Sequence, residues 1–439
     1  MNRKILRLAI PNVISNISVP LLGLLDIGLM GHMGSQSYIG AIAIGTMIFN
    51  FMFWAFGFLR MGSSGFTAQA YGRRDMPEIL MILVRSLLLA FIIGVLLIIL
   101  QIPIGYFSFK LLNAGSEVEK IAAQYFYIRI YSAPATLALY ALLGWFIGMQ
   151  DAKTPLIIAV FVNLINMAYS IFFIKVMGMK ADGIALGSML AQYSGLLLAL
   201  WMLYKYYGKL FKHFSIQKLK LLKPFLNFLY VNQNIFIRTM LLIFTFTFFT
   251  SRSAALGDDI LSGNTLLYQF LIFFSYFMDG FAFAAESLVG KYYGAADKMM
   301  LKKTVKRLFL WGACICLFFT VFYYFLGRLL LPVLTNNIPS LQIANHYFYW
   351  VYLLPIATFA AFLWDGIYIG CTASVAMRNS MIVSVLILFF PLYFLVFKSF
   401  GNDGLWLSFL IFLASRGVLL QLFSGKYIFP TKKYFHNTN

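Results

Sequence analysis

Acids are scarce in this chain, with 14 Asp and Glu among 439 residues. One of them, Asp26, lies in LAIPNVISNISVPLLGLLDIGLMGH (8–32), an apolar stretch without Lys or Arg. Apolar surroundings penalise a charged carboxylate, and ionisable groups within membrane spans mark ion and substrate pathways. The chemistry that Asp26 suits is exchange of a proton or binding of a cation. The alternative is an acid satisfied by a nearby Arg or hydroxyl. Pro11 and Pro20 share the stretch. Proline bends a helix and frees backbone carbonyls, so these two residues supply a means for Asp26 to alter helix shape.

Polar residues recur at helical spacing elsewhere. Asn163 and Asn166 are three apart, and Ser188 and Gln192 four apart, so each pair shares a helix face. Amides and hydroxyls there can hydrogen-bond a carboxyl or coordinate a cation, or else act as interhelical polar contacts. In the second half, Asp279 and Glu286 in FMDGFAFAAESLVG are two helical turns apart, and Asp365 lies in LWDGIYIG. These three acids form either a second cation or gating site, or salt bridges to Arg238, Arg378 or Arg416. Arg60 and Arg129 also stand inside apolar runs, where a structural partner or a snorkelling head competes with substrate contact.

The elements that position these groups are membrane helices. The chain is 62% hydrophobic and 11% charged, too apolar for a soluble protein of this length. Twelve apolar runs are long enough to span: 9–32, 38–69, 79–106, 121–149, 155–177, 183–206, 227–251, 262–290, 304–331, 342–371, 378–399 and 404–424. Their continuity is unlike the alternating ten-residue segments of a membrane barrel. Lys and Arg concentrate at the start, in every second connection and in the tail, which places both termini in the cytoplasm. That topology also accounts for the net charge of +20 without nucleic acid as a partner.

The chain repeats itself. Tyr71-Gly72 matches Tyr293-Gly294, Tyr125-Phe126-Tyr127 matches Tyr347-Phe348-Tyr349, and Gly144-x-x-x-Gly148 matches Gly366-x-x-x-Gly370, all 222 residues apart. Pro134 and Pro355, and Asp182-Gly183 and Asp403-Gly404, match at 221. A constant offset along the chain signals duplication. The predicted architecture is all-α and membrane-integral. Its twelve helices form two six-helix lobes, 1–206 and 227–439 with a short basic tail, joined by a basic cytoplasmic linker at 207–226. An even number of spans per half implies a pseudo-twofold axis along the membrane normal, with a cavity between the lobes and rocking of one against the other. The repeat partners of Asp26, Asp279, Glu286 and Asp365 are Phe248, Gly57, Ser64 and Leu143. The acids are therefore specialisations of each half.

Other classes find little support. There is no Walker-type loop, no His/Cys metal constellation and no nucleophile motif, so no bound cofactor or metal is expected. Cys314, Cys316 and Cys371 all lie in apolar runs and read as buried thiols.

Six stretches resemble the multidrug and toxic compound extrusion (MATE) transporters, in particular their DinF branch. They are LRLAIPNVISNISVPLLGLLDIGLMGHMGS, FWAFGFLRMGSSGFTAQAYG, SAPATLALYALLGWFIGMQDAKTP, ADGIALGSMLAQY, MDGFAFAAESLVGKYYGA and LWDGIYIGCTASVAMRNSM. The resemblance implies a non-enzymatic secondary antiporter of a bacterial cytoplasmic membrane, acting as a monomer. It would export amphipathic or cationic compounds in exchange for protons, with sodium ions as the other coupling ion. It makes Asp26 the key protonatable group and Pro11 the bending position. Asn163, Asn166, Ser170 and Ser188 would form a supporting network and line the substrate cavity. Relatives typically carry an acid where this chain has Ser170, so a two-carboxylate sodium site in the first half loses one member. A flippase for lipid-linked saccharides, which shares the two-lobe fold, is the runner-up, and a membrane-embedded enzyme is the remote third.

Overall fold

The computed structural model describes the backbone of residues 1–31, 36–112, 115–214, 217 and 222–429. Side chains at 19–31, 36, 37, 39, 111, 112 and 116 are not among those described. The side chains of Asp26 and Pro20 thus lie outside the described residues, as does most of 215–221 in the basic linker. Regular structure among the described residues is helical throughout. Among the described residues, eleven segments are long and apolar enough to cross a membrane. The first helix, α1 (Asn2–Gly31), is 30 residues long and makes the twelfth, matching the twelve apolar runs. It continues through Pro11 and Pro20 without a break. The chain forms two compact units, Ile14–Phe228 and Met1–Val13 together with Leu229–Asn439.

The unit Ile14–Phe228 contains α2 (Gln36–Ala55), α3 (Phe58–Arg73), α4 (Met76–Ile99), α5 (Gln101–Leu112), α6 (Ser116–Arg129), α7 (Ala133–Gly148), α8 (Lys153–Ile171) and α9 (Ala181–Tyr207). Helices α3 and α7 pack backbone to backbone because α7 presents glycine. A Cβ at Gly144 would collide with the Arg60 carbonyl, and one at Gly148 would sit 2.8 Å from the Ser64 carbonyl oxygen. Small residues are what let membrane helices approach so closely. Ser63 Oγ adds a hydrogen bond to the Ala141 carbonyl (2.9 Å), and Trp145 Nε1 donates to the Ile79 carbonyl on α4 (3.0 Å).

The other unit contains most of α10 (Leu222–Ala255), then α11 (Asp258–Gly294), α12 (Lys298–Phe322), α13 (Arg328–Leu334), α14 (Ile338–His346), α15 (Tyr349–Gly370), α16 (Ser374–Ile382), α17 (Phe390–Phe400) and α18 (Asn402–Tyr427). Its α11 and α15 repeat the α3–α7 contact. Gly366 faces the Ala282 carbonyl, and a Cβ at Gly370 would sit 2.6 Å from the Glu286 carbonyl oxygen. Ala282 and Glu286 are 222 residues beyond Arg60 and Ser64, so both partners of each close approach are duplicated.

The duplication extends to backbone detail. Arg74 and Ala296 adopt left-handed φ of 61° and 55°, and Gln150 and Thr372 adopt 66° and 52°; each pair is 222 apart. The following Asp75 and Asp297 cap their helices through bonds from Glu78 N (3.1 Å) and Met300 N (2.9 Å). A carboxylate at an N-cap satisfies a backbone donor that the helix itself leaves open.

Candidate functional site

A hydrogen-bonded polar row lies inside the unit Ile14–Phe228. It is built on α8, whose start is set by Asp151. One oxygen of that carboxylate accepts from Lys153 N and Thr154 N, both at 3.1 Å, and the other from Thr154 Oγ1 at 2.6 Å. Two turns and more further on, Asn163, Asn166 and Ser170 follow at helical spacing. Asn163 Nδ2 reaches Ser18 Oγ on α1 at 3.3 Å. Asn166 Nδ2 donates to Ser188 Oγ on α9 at 3.4 Å, and Ser170 Oγ donates to Asn166 Oδ1 at 3.2 Å. Ser170 and Ser188 are buried. Their proximity depends on Gly187, where a Cβ would stand 3.1 Å from Ser170 N and 3.2 Å from its Oγ. A π-helical turn, Phe172–Val176, begins just beyond Ser170, and such widened turns recur at functional sites.

The structure thus joins three of the four expected network residues, Asn166, Ser170 and Ser188, across α8 and α9, while Asn163 bonds separately to Ser18 on α1. Ser18 is a member that sequence reasoning missed; a hydroxyl in the first apolar run was the available signal. Near Pro11, the buried Asn12 donates from Nδ2 to the Leu8 carbonyl at 2.7 Å. The amide side chain thereby covers a backbone acceptor next to the proline.

The acids of the second half have different surroundings. Asp365 on α15 accepts from Arg238 of α10 and from Arg416 of α18 (2.6 Å), both through the single oxygen Oδ2. Asp365 therefore adopts the salt-bridging alternative, with two of the three Arg partners that the sequence suggested. The third, Arg378, donates instead to Asn234 Oδ1 (2.8 Å) and Asn379 Oδ1 (2.9 Å). Glu286 is buried on α11, beside the Gly370 contact. A second network joins Asn264, Asn402 and Trp406, with Asn264 and Asn402 exchanging amide bonds of 2.7 and 3.0 Å. Arg85, also buried, pairs with Glu78 at 2.7 Å, two helical turns away on α4. Among the described residues, no group of three or more His, Cys, Asp or Glu is placed to hold a metal ion.

The chain and its fold have counterparts among known proteins. The MatE family model matches twice, over residues 11–172 and 235–395, once in each half of the repeat. The chain is 36% identical over 413 residues to DNA damage-inducible protein F of Escherichia coli K12, covering 94% of this chain and 90% of that one. It is 24% identical to Protein DETOXIFICATION 44, chloroplastic, of Arabidopsis thaliana, covering 94% and 80%. Its fold is similar to that of a multidrug resistance MATE family transporter of the MOP superfamily in an outward-facing conformation. The TM-score there is 0.84 at 19% identity, over 96% of this chain and 94% of that one. With the family model matched across most of its length in two copies, this chain belongs to the MatE family of multi-pass membrane transporters.

Proposed function

We propose that this chain is a secondary active efflux antiporter. It exports amphipathic or cationic compounds in exchange for protons, and Asp26 is the main protonation site. The observation that carries this reading is the polar row Ser18, Asn163, Asn166, Ser170 and Ser188 within membrane-spanning helices. Hydrogen-bonding capacity in such surroundings supports a proton-exchanging carboxyl on the same α1 that contributes Ser18. Ser170, a hydroxyl in place of a second acid, favours the proton over a sodium ion there, because a sodium site gains from each added carboxylate. The pairing of Asp365 with two guanidinium groups favours coupling in the first half over the second.

The protein sits in a bacterial cytoplasmic membrane with both termini inside. In the outward-facing state Asp26 takes up a proton and substrate leaves. In the inward-facing state the proton departs and substrate loads. Coupling requires that proton and substrate compete for the site. The test is substrate efflux from proteoliposomes with proton and sodium gradients imposed separately. The expected result is efflux driven by the proton gradient and lost in Asp26→Asn. Efflux by Asp26→Asn at the unmodified rate under a proton gradient refutes the assignment.

A further inference from the structure

The end of α6 holds an unusual cation. Arg129 is the last residue of α6, about 18 Å of helix rise from Glu117, where the membrane-spanning segment Glu117–Gly148 begins. Its guanidinium lies over the faces of Phe49 (5.1 Å) and Tyr125 (5.4 Å), and Nη1 donates to the Tyr125 hydroxyl. Both rings are buried, and Phe49 stacks on Phe126 at 5.3 Å. Among the described residues no carboxylate is paired with Arg129, and one of its five N–H donors is accounted for. The side chain itself is half-buried, so part of the guanidinium remains reachable.

The second half keeps part of this arrangement, since Phe270 packs against Phe348 at 5.2 Å and the Arg328 guanidinium lies 5.9 Å over the Phe348 ring, but there the cation comes from a different helix. Tyr125 and Phe126 recur 222 residues later as Tyr347 and Phe348, but Gly45, Phe49 and Arg129 correspond to Leu267, Leu271 and Val351. Gly45 is what admits the Tyr125 ring against α2, since a Cβ there would collide with it. The backbone differs too. The helix breaks after Arg129 into a 3-10 turn, Ile130–Ser132, before Pro134, whereas the second half breaks earlier, between α14, which ends at His346, and α15, which starts at Tyr349. A guanidinium fixed by ring faces, with open donors in a low-dielectric setting, is matched to the two oxygens of a carboxylate or phosphate.

We propose that Arg129 is an anion-receiving group of the first half, taking the carboxylate or phosphate of an amphipathic ligand. This rests on the reading of the chain as an exporter of amphipathic compounds and narrows it to those carrying an acidic group. The anion comes from the transported compound or from a lipid headgroup, and the test separates the two sources.

Purified full-length protein in dodecyl maltoside micelles, which carry no phosphate, is titrated with rhodamine 110, which has a free carboxylate, and with rhodamine 123, its methyl ester. The expected result is about tenfold tighter binding of the acid, a preference lost in Arg129→Gln and partly kept in Arg129→Lys. Where the headgroup phosphate is the occupant, adding phosphatidylglycerol weakens dye binding to the unmodified protein and has no effect on Arg129→Gln. Equal affinity for the two dyes, or binding of neither, together with no response to phosphatidylglycerol, overturns the proposal. A preference that survives in Arg129→Gln does the same. The comparison on the unmodified protein stands even where a variant does not fold. No gradient is imposed, so a negative result leaves the antiport proposal to its own efflux experiment.

Discussion

Replacing Asp365 by Ala removes the one oxygen shared by Arg238 and Arg416. Those two side chains are 6% and 7% exposed, so water cannot take over the role. Two guanidinium groups converging on one oxygen lie roughly 5 Å apart, which at an effective dielectric near 20 is about 3 kcal/mol of repulsion. In the intact protein two attractions of about 4 kcal/mol each offset it. After relaxation, breaking such a buried cluster costs about 3–5 kcal/mol. Thermal unfolding of the purified protein in detergent, followed by loss of helical circular dichroism, should show a midpoint lower by about 3–5 °C. The same physics predicts recovery when the charges leave together. Arg238→Met and Arg416→Met, combined with Asp365→Leu, should return the midpoint close to the starting value, because no buried charge is left unpaired. A midpoint for Asp365→Ala within about 1 °C of the unmodified protein refutes this account of the cluster.

Three further outcomes are expected. Gly148→Val places carbon against Thr67 and the Ser64 carbonyl, and overpacking of that kind costs about 1–3 kcal/mol, visible as a lower melting midpoint. Thr372→Gly relieves a β-branched residue at a φ of 52° and should raise the midpoint by the equivalent of about 1 kcal/mol; an unchanged midpoint refutes strain there. Asn166→Ala removes a donor to Ser188 and an acceptor from Ser170. It should lower proton-driven efflux several-fold while the protein still folds, since each lost bond is worth about 1 kcal/mol. Efflux at the unmodified rate would separate the polar row from transport.

Much of the fold was legible because membrane spans are written locally. Each needs about 20 apolar residues whatever its neighbours, and Lys and Arg punctuate the connections. The repeat was legible for a related reason: Gly144, Gly148, Gly366 and Gly370 keep one spacing along the chain. Which backbone each glycine meets was not, since Arg60, Ser64, Ala282 and Glu286 carry no mark of being its partner. The cap residues Asp75 and Asp297 were available at the same offset, as acids ahead of apolar runs.

The candidate sites divide in the same way. Asn163 and Asn166 are placed on one face of α8 by helical periodicity alone, whereas Ser170 was grouped with them only through the family resemblance. Their bonds to Ser18 and Ser188 join separate helices, and the choice of helix depends on how closely α8 and α9 approach at Gly187. Asp365 shows the limit most clearly. Three arginines were equally eligible as its partners by residue type. Two now converge on one oxygen from helices that begin more than a hundred residues before it and some forty after it. By itself the sequence determined that this is a duplicated bundle of membrane helices with a few acids inside, because burial in lipid constrains every residue along a span. Only the tertiary structure decided which of those acids are already neutralised, because pairing a charge depends on distances of a few ångströms between helices remote in the chain.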